Sequence, residues 1–176
     1  MHKKTIICIV GESGTGKTFI AQYLEEKYLV PMIESRTTRP KRNPDEKGHT
    51  FVSDEEFDTY KKEDMLAYTD FGGNRYCCLV KDIVSDFSTY VIDEYGLKYL
   101  RNTFSDIFNI FAVRVLSLQE ERERRVGKDR VSRDTGRFTM TEDNFDSFLY
   151  NDYIEQETYR KVDTIYSRIQ KLYGTR

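Results

Sequence analysis

The sequence predicts an α/β fold of three layers, in which helices cover both faces of a parallel core sheet of five strands. Apolar runs of strand length alternate with segments of helix length, which is typical of a doubly wound sheet. A glycine-rich turn also joins the first apolar run directly to the first helical segment. With 176 residues, the chain fits one domain that is large enough to bury its own core.

The composition excludes several classes of partner. Lys and Arg total 28 against 30 Asp and Glu, and the net charge of -2 provides no general attraction to nucleic acids or acidic membranes. The three cysteines lack metal-type spacing, and the adjacent pair cannot form an unstrained disulfide, which favours a reducing compartment. Only six apolar-type residues precede Gly11, too few for a signal sequence or a membrane span. We therefore expect a cytoplasmic monomer or weak dimer that binds neither nucleic acid nor membranes.

The first strand and helix are the clearest elements of the predicted core. Thr5 to Val10 is a short β-branched apolar run, as expected for a strand that is buried on both faces. Beyond the glycine-rich turn, Ile20, Leu24 and Tyr28 recur at every fourth position. This spacing predicts a helix that runs to about Lys27 and packs one face on the sheet.

Later apolar runs complete the predicted core. They are Val30 to Ile33, Tyr90 to Ile92, Ile107 to Val115 and Phe148 to Tyr150. From Ile154 onwards, residues at three- and four-residue steps predict a closing amphipathic helix. Between Arg36 and Val80 the pattern changes to short strand-like pieces among turn signals, which predicts an inserted β-rich lobe. Its pieces are Thr50 to Val52, Leu66 to Thr69 and Arg75 to Val80.

One motif predicts a phosphate-binding loop (P-loop). The segment Gly11-Glu12-Ser13-Gly14-Thr15-Gly16-Lys17-Thr18 matches G-x-x-x-x-G-K-[ST] and lies between the first strand and the first helix. Glycines let backbone N–H groups point at phosphate oxygens, and the helix N-terminus adds partial positive charge. Lys17 would neutralise the transferring phosphate, and Thr18 would offer its hydroxyl to Mg²⁺. The predicted nucleotide-binding residues are Gly11, Ser13, Gly14, Thr15, Gly16, Lys17 and Thr18.

A carboxylate follows the run Tyr90-Val91-Ile92. Such a strand-end acid lies near the Mg²⁺ shell in many phosphoryl-transfer enzymes, so Asp93 is a candidate for the metal site. The alternative is an ordinary strand-end Asp that starts a turn before Gly96.

A second anion site is predicted at residues 35–42. The segment Ser35-Arg36-Thr37-Thr38-Arg39-Pro40-Lys41-Arg42 places four cations beside three hydroxyls. Arginine binds two phosphate oxygens at once, which fixes orientation as well as charge. The alternative is a solvated basic loop.

These residues resemble the signature of the guanylate kinase family. That signature combines a P-loop with S-x-T-T-R-x-x-R, a G-x-x-x-G turn and F-V-S-x-x-E-F. The matching residues are Ser35, Thr37, Thr38, Arg39, Arg42, Gly48, Phe51-Val52-Ser53 and Glu56-Phe57. Gly73-Asn74-Arg75-Tyr76 is similar to the family's G-N-x-Y, and Asn151-Asp152 to the end of its V-I-V-N-D. The resemblance therefore covers nearly the whole chain.

The resemblance implies a P-loop NTPase fold that uses ATP and Mg²⁺ and takes a nucleoside monophosphate as its substrate. The acceptor phosphate would be held by Ser35, Arg39, Arg42 and Tyr76. The nucleobase of the acceptor would lie beside Cys78 and Asp93. The implied single domain, 1–176, has its core at 1–35, 81–117 and 141–176, an acceptor-binding lobe at 36–80 and an arginine-rich lid at 118–140. Lid arginines would offset charge on the transferring phosphoryl group.

Several positively charged residues of the lid segment are candidates for the contact with the transferring phosphoryl group. They are Arg122, Arg124, Arg125, Lys128, Arg130, Arg133 and Arg137. Glu120 with Arg124, and Glu121 with Arg125, have the spacing of exposed helix pairs, so some of these arginines are structural. We predict Arg124 and Arg133 as the catalytic pair beside Lys17, with Lys128 and Arg130 next.

The base pocket departs from the family pattern. Ala67 stands where guanylate kinases carry the Glu that binds the guanine edge, and Cys78 where they carry Ser or Thr. His49 replaces a phosphate-binding Tyr, and a loop His of this kind is commonly only solvated. Weak preference for GMP is therefore expected, unless Asp70 or Asp93 has taken over recognition of the base.

The predicted function is ATP-dependent phosphorylation of a nucleoside monophosphate. One alternative is a non-catalytic guanylate-kinase-like interaction module, against which the complete phosphate apparatus argues. Another is a P-loop kinase for a different small phosphorylated or hydroxylated substrate.

Overall fold

The computed structural model describes residues 3–46 and 48–174. Both ends of the predicted domain, and Lys47 in the predicted lobe, therefore lie outside the described residues. The strands are β1 (Thr5–Val10), β2 (Ser35–Thr37), β3 (His49–Phe51), β4 (Met65–Phe71), β5 (Asn74–Leu79), β6 (Phe87–Val91), β7 (Asn109–Leu116) and β8 (Ser147–Tyr150). The helices are α1 (Lys17–Tyr28), α2 (Asp54–Phe57), α3 (Glu94–Phe104), α4 (Gln119–Val126), α5 (Lys128–Ser132) and α6 (Glu155–Tyr173). No helix among the described residues is long and apolar enough to cross a membrane.

The core sheet is parallel and has the order β6-β1-β7-β8. A fifth position beside β6 is held by an isolated parallel bridge between Met32 and Thr89. The Thr89 N–H donates to the Pro31 carbonyl oxygen at 2.9 Å, and the Ile33 N–H donates to the Thr89 carbonyl oxygen at 2.8 Å. The predicted strand at Val30 to Ile33 is thus reduced to this bridge. Pro31 lacks an N–H group, which limits further pairing.

Helices cover both faces of this sheet, which confirms the three-layer α/β class. Alternate residues of β1 serve opposite faces. Ile6, Cys8 and Val10 pack in one buried cluster, which includes residues of α3. Ile7 and Ile9 pack in the other, which includes residues of α1 and α6. The long closing helix predicted from Ile154 onwards is α6.

A second sheet has the order β3-β2-β5-β4. Its strands all lie between residues 35 and 79, and β2 pairs parallel with β3 but antiparallel with β5. The short helix α2 covers this sheet by burying Phe57 against Cys77 and Leu79. Helices α4 and α5 follow β7 and precede the loop that returns to β8.

Candidate active site

One cleft lies where the carboxyl ends of β1 and β6 face the second sheet, as expected for ligand sites of open parallel sheets. Its volume is about 290 Å³. Both predicted phosphate sites and part of segment 118–140 line it. The lining residues that sequence analysis singled out are Gly11, Ser13, Lys17, Ser35, Arg39, Arg42, His49, Ala67, Tyr76, Asp93, Arg130, Arg133 and Arg137.

Glycines give the P-loop its tight shape. Gly14 and Gly16 have φ values of 82° and 93°, a left-handed conformation that other residues rarely adopt. A Cβ atom on Gly16 would lie 2.4 Å from Asn151 Nδ2, and one on Gly11 would lie 2.6 Å from the Val115 carbonyl oxygen. The loop therefore packs so closely on its neighbours that larger residues do not fit.

Asn151 ties the P-loop to the start of α6. Its Nδ2 donates to the Thr15 carbonyl oxygen at 2.9 Å. Its Oδ1 accepts from the Tyr153 N–H at 2.9 Å and from the Thr158 hydroxyl at 3.0 Å. Asn151 is buried, so these bonds satisfy groups that water does not reach. The Asn151-Asp152 pair was recognised from the family resemblance, but its anchoring role appears only in the structure.

Lys17 extends from the first turn of α1 into the cleft. Its Nζ donates to the Glu12 carbonyl oxygen at 2.8 Å. Burial lowers the pKa of Lys17 to about 8, and the nearby Asp134 carboxylate partly opposes this shift. The next residue, Thr18, is exposed and does not line the cleft.

The lowered pKa of Lys17 has a consequence for stability. Between pH 8 and 10.5, native Lys17 has lost its proton while unfolded Lys17, with the ordinary pKa of 10.5, keeps it. The unfolded state then binds more protons, so the free energy of unfolding rises with pH in this window. Without nucleotide, we expect Lys17→Met to be more stable than wild type at pH 7 and to lose this advantage as pH rises towards 10.5. Urea unfolding of both proteins across this range checks it, and a stability difference that does not change with pH would contradict it.

Asp134 is a buried carboxylate that the sequence analysis did not single out. It lies just beyond α5, and the Ser13 backbone N–H donates to its Oδ2. The carboxylate thus occupies a donor that the P-loop would offer to a phosphate oxygen. A nucleotide phosphate that binds this N–H takes the place of Asp134. No spacing rule distinguishes Asp134 from the neighbouring Asp129, so only the packing of the segment reveals it.

The second anion site is organised by Glu46. Arg39 donates to both carboxylate oxygens of Glu46, at 2.7 and 3.2 Å, and the Arg42 backbone N–H donates to it at 2.6 Å. These bonds lower the pKa of Glu46 to about 2, with Arg39 as the main cause. Glu46 therefore holds Arg39 beside Arg42. The sequence predicts both arginines as phosphate ligands but does not single out Glu46, although all three lie within eight residues.

Three other predicted residues surround these arginines. Ser35, His49 and Tyr76 line the same cleft, and Ser35 pairs with His49 between β2 and β3. The rings of His49 and Tyr76 meet edge to face at 6.1 Å between centroids. Burial lowers the pKa of His49, which favours the neutral imidazole. Its buried Nδ1 has no hydrogen-bond partner among the described residues, so the contact of His49 seen here is the ring packing with Tyr76.

The β4 face of the cleft lacks a carboxylate. Ala67 lies directly opposite Cys78 in the β4–β5 pair, so the two departures from the family pattern are neighbours. Cys78 is fully buried and does not line the cleft. Its Sγ lies 3.4 Å from the Glu34 carbonyl oxygen and 3.6 Å from Ser35 Oγ. Burial raises the pKa of Cys78 to about 12, so the thiol stays neutral. In this structure it contacts strand residues, whereas Ala67 faces the cleft.

Asp93 is the N-cap of α3 as well as a cleft residue. Its Oδ1 accepts from the Gly96 N–H at 2.7 Å and lies 3.5 Å from Thr69 Oγ1. Its Oδ2 accepts from Arg137 at 3.3 Å. The described contacts thus show the turn-starting role that the sequence left open, together with an ion pair. Its metal role remains a prediction.

The structure separates the arginines of segment 118–140. Arg130, Arg133 and Arg137 line the cleft. Arg124 does not, because α4 turns its side chain to solvent, where 69% is exposed and it pairs with Glu121 at 2.8 Å. Nor does Arg125, which stacks on the Tyr153 ring at 3.4 Å. The sequence predicts exposed ion pairs on α4, but with Glu120 and not Glu121 as the partner of Arg124.

Arg122 is nearly buried and pairs with the Glu12 carboxylate at 2.9 Å. Glu12 lies in the P-loop, so this pair joins α4 to the loop. Gly14 lies beneath the same helix, because a Cβ atom there would be 3.2 Å from Arg122 Cα. Arg122 is therefore part of the support of the loop.

A family model described as guanylate kinase matches residues 2–169. The chain belongs to the guanylate kinase family. A guanylate kinase of Fusobacterium nucleatum is 27% identical over 173 residues, which span 94% of this chain and 88% of the relative. A guanylate kinase of Mycoplasmopsis pulmonis is 30% identical over 116 residues, which span 60% of this chain and 59% of that relative. This family membership indicates a nucleoside monophosphate kinase.

Solved structures support the guanylate kinase fold. A guanylate kinase from Anaplasma phagocytophilum superposes with a TM-score of 0.67 at 20% identity, covering 95% of this chain and 87% of the other. An APS kinase from Mycobacterium tuberculosis gives a TM-score of 0.52 at 15% identity over 95% of this chain and 99% of the other. At such low identities these similarities show the fold alone.

Proposed function

We propose that the protein transfers the γ-phosphoryl group of ATP to a nucleoside monophosphate, with GMP or dGMP as the family's substrate. One observation carries this proposal: two separate groups of positively charged side chains, each suited to bind an anion, line the same cleft. Lys17 and Ser13 line the donor side, Arg39 and Arg42 line the acceptor side, and Arg133 lines the cleft with them. Phosphoryl transfer consists mainly of positioning two anions in line and neutralising their charge.

The donor site fits the phosphates of a nucleotide. Gly14 and Gly16 give the loop its tight left-handed turns, and Lys17 and Ser13 line the cleft. The Ser13 N–H already binds an anionic group, the Asp134 carboxylate, in the position proposed for a phosphate oxygen.

No group of three His, Cys, Asp or Glu side chains in the described parts of the chain is arranged to hold a metal ion. We propose that Thr18, phosphate oxygens and water would hold Mg²⁺. Thr18 is exposed and does not line the cleft in this structure, so its hydroxyl would have to turn towards the bound phosphates. When bound, Mg²⁺ would offset negative charge on the phosphates.

The acceptor phosphate would be held by Ser35, Arg39, Arg42 and Tyr76, all of which line the cleft. Glu46 holds the Arg39 guanidinium and the Arg42 backbone N–H, which keeps the two residues side by side. Arg133 is then proposed to contact the transferring phosphoryl group beside Lys17. The proposed catalytic role of Arg124 requires α4 to rotate, because its side chain is exposed and paired in this structure. Asp93 is proposed on the base side, with a metal contact only after it releases Arg137.

An interaction module without activity is the main alternative function. A scaffold has no need for a lysine with a lowered pKa beside a complete phosphate loop. A kinase for another small phosphorylated substrate would use the same phosphate sites with another base-side partner. The three cysteines are buried and free, which suits the reducing cytoplasm in which we also propose that the enzyme acts, as a monomer or weak dimer.

A substrate screen tests the proposal. ADP release from ATP and Mg²⁺ would be measured with GMP, AMP, dGMP, dAMP, CMP, UMP and dTMP as acceptors. We expect turnover with at least one purine nucleotide and a preference for GMP over AMP below about a thousandfold, because Ala67 offers no hydrogen bond. Ala67→Glu, which restores the family's carboxylate, should shift preference towards GMP. No turnover with any acceptor would reject the proposed function.

A further inference from the structure

Strand β4 contributes few polar side chains to the side of the cleft where the acceptor base would lie. Alternate residues of a strand point to the same face, and Ala67, Thr69 and Phe71 line the cleft. Asp70 is exposed and does not line it. This face therefore offers one hydroxyl, one aromatic ring and no charge to an acceptor base. Of the two replacements considered for the lost carboxylate, only Asp93 reaches the cleft.

A lid arginine occupies this base side. The Arg137 guanidinium carbon lies 3.9 Å from the centroid of the Phe71 ring, so the cation stacks on the aromatic face. Its Nη2 lies 3.3 Å from Asp93 Oδ2, and its Nη1 lies 3.7 Å from Asp134 Oδ1. Arg137 is therefore held from two sides by carboxylates and from a third by a ring.

Asp93 is itself fixed, because the Gly96 N–H holds it as a helix cap. Asp134 accepts from the Ser13 N–H only until a nucleotide phosphate takes that donor, so Asp93 and Phe71 position Arg137 once ATP is bound. A guanidinium has five N–H donors and no acceptor, and two carboxylate contacts leave others available to a ligand. Arg137 thus places a flat, donor-only group in the acceptor pocket, whose strand wall supplies no charge.

We propose that Arg137 selects the acceptor base, favouring a 6-oxopurine over a 6-aminopurine. The inference rests on the proposed function, since it concerns the acceptor of that reaction. Paired arginine N–H groups fit the O6 and N7 acceptors of guanine, whereas adenine presents an amino donor in place of O6. Arg137 therefore supplies the discrimination that Ala67 has lost, and Phe71 and Asp93 are its positioning residues.

The test compares kcat/KM for GMP, IMP, AMP and 7-deaza-GMP. Wild type should prefer GMP over AMP by on the order of ten- to a hundredfold, the range of one good bidentate pair. IMP keeps O6 and N7 and should behave like GMP, whereas 7-deaza-GMP lacks one of the two acceptors and should be weaker. This nucleotide series requires no variant, so misfolding cannot obscure its result.

Two substitutions then assign the effect to Arg137. Glutamine fits the N6 and N7 of adenine, so Arg137→Gln should move the GMP/AMP ratio towards AMP. Arg137→Lys keeps the charge without the planar fork and should also lower the ratio. Arg160→Gln, an exposed arginine on α6, is the matched control, and thermal unfolding verifies the fold of each variant.

Some results would overturn the inference. If Arg137→Gln reduced kcat/KM for GMP, IMP and AMP by the same factor, Arg137 would act on phosphate and not on the base. A wild-type enzyme that used AMP as well as GMP would also overturn it. A wild-type protein that phosphorylated no monophosphate would instead reject the proposed function itself.

Discussion

Lys17→Ala is expected to reduce phosphoryl transfer below detection while the fold stays intact. Lys17 lies in the cleft beside the P-loop, where it would stabilise charge that develops in the transition state. Loss of one such preorganised donor costs on the order of a hundred- to a thousandfold in kcat, and the removal of a full charge should cost more. The measurement is ADP release at saturating ATP and acceptor, with circular dichroism to verify the fold.

Lys171→Ala is a matched control, because Lys171 is exposed near the end of α6. It should leave turnover and secondary structure unchanged. If Lys17→Ala retained wild-type turnover, the P-loop would not be the donor site of the reaction.

Substitution of Arg39 or Arg42 by Ala should act on the acceptor and leave ATP binding nearly unchanged. The loss of a charged donor to the acceptor phosphate should raise its KM and lower kcat/KM by about 2 kcal/mol or more. Arg39→Ala should have the larger effect, since it also leaves the Glu46 carboxylate without its main partner beside the incoming phosphate. Steady-state kinetics with each substrate varied in turn provides the measurement.

Lys41→Ala controls for a general change in loop charge, because Lys41 is exposed between the two arginines and does not line the cleft. Its kcat/KM should stay close to wild type. If Arg39→Ala or Arg42→Ala weakened ATP and not the acceptor, the two phosphate sites would have been assigned in reverse.

Features encoded by contiguous residues could be predicted from the sequence. Strand β1 and the strand, P-loop and helix order have the predicted positions, since β-branched runs, glycines and helical periodicity act locally. The second anion site was also predicted from contiguous residues, because Arg39 and Arg42 are three residues apart. The strand predicted at Val30 to Ile33 is only an isolated bridge in the structure, because Pro31 within this run limits backbone pairing.

The tertiary structure alone decided which distant side chains share the cleft. Segment 118–140 has arginines at many positions, and the sequence alone does not distinguish them. In the structure, Arg137 contacts Phe71 in the cleft while Arg124 faces solvent. Asp134 meets the Ser13 N–H across 121 residues, a distance that no local pattern spans. The sequence by itself predicted both phosphate sites, because each of them is built from the residues of one loop. Base recognition and lid contacts depend on which faces of β4, α3 and α5 pack together, and that depends on the whole core.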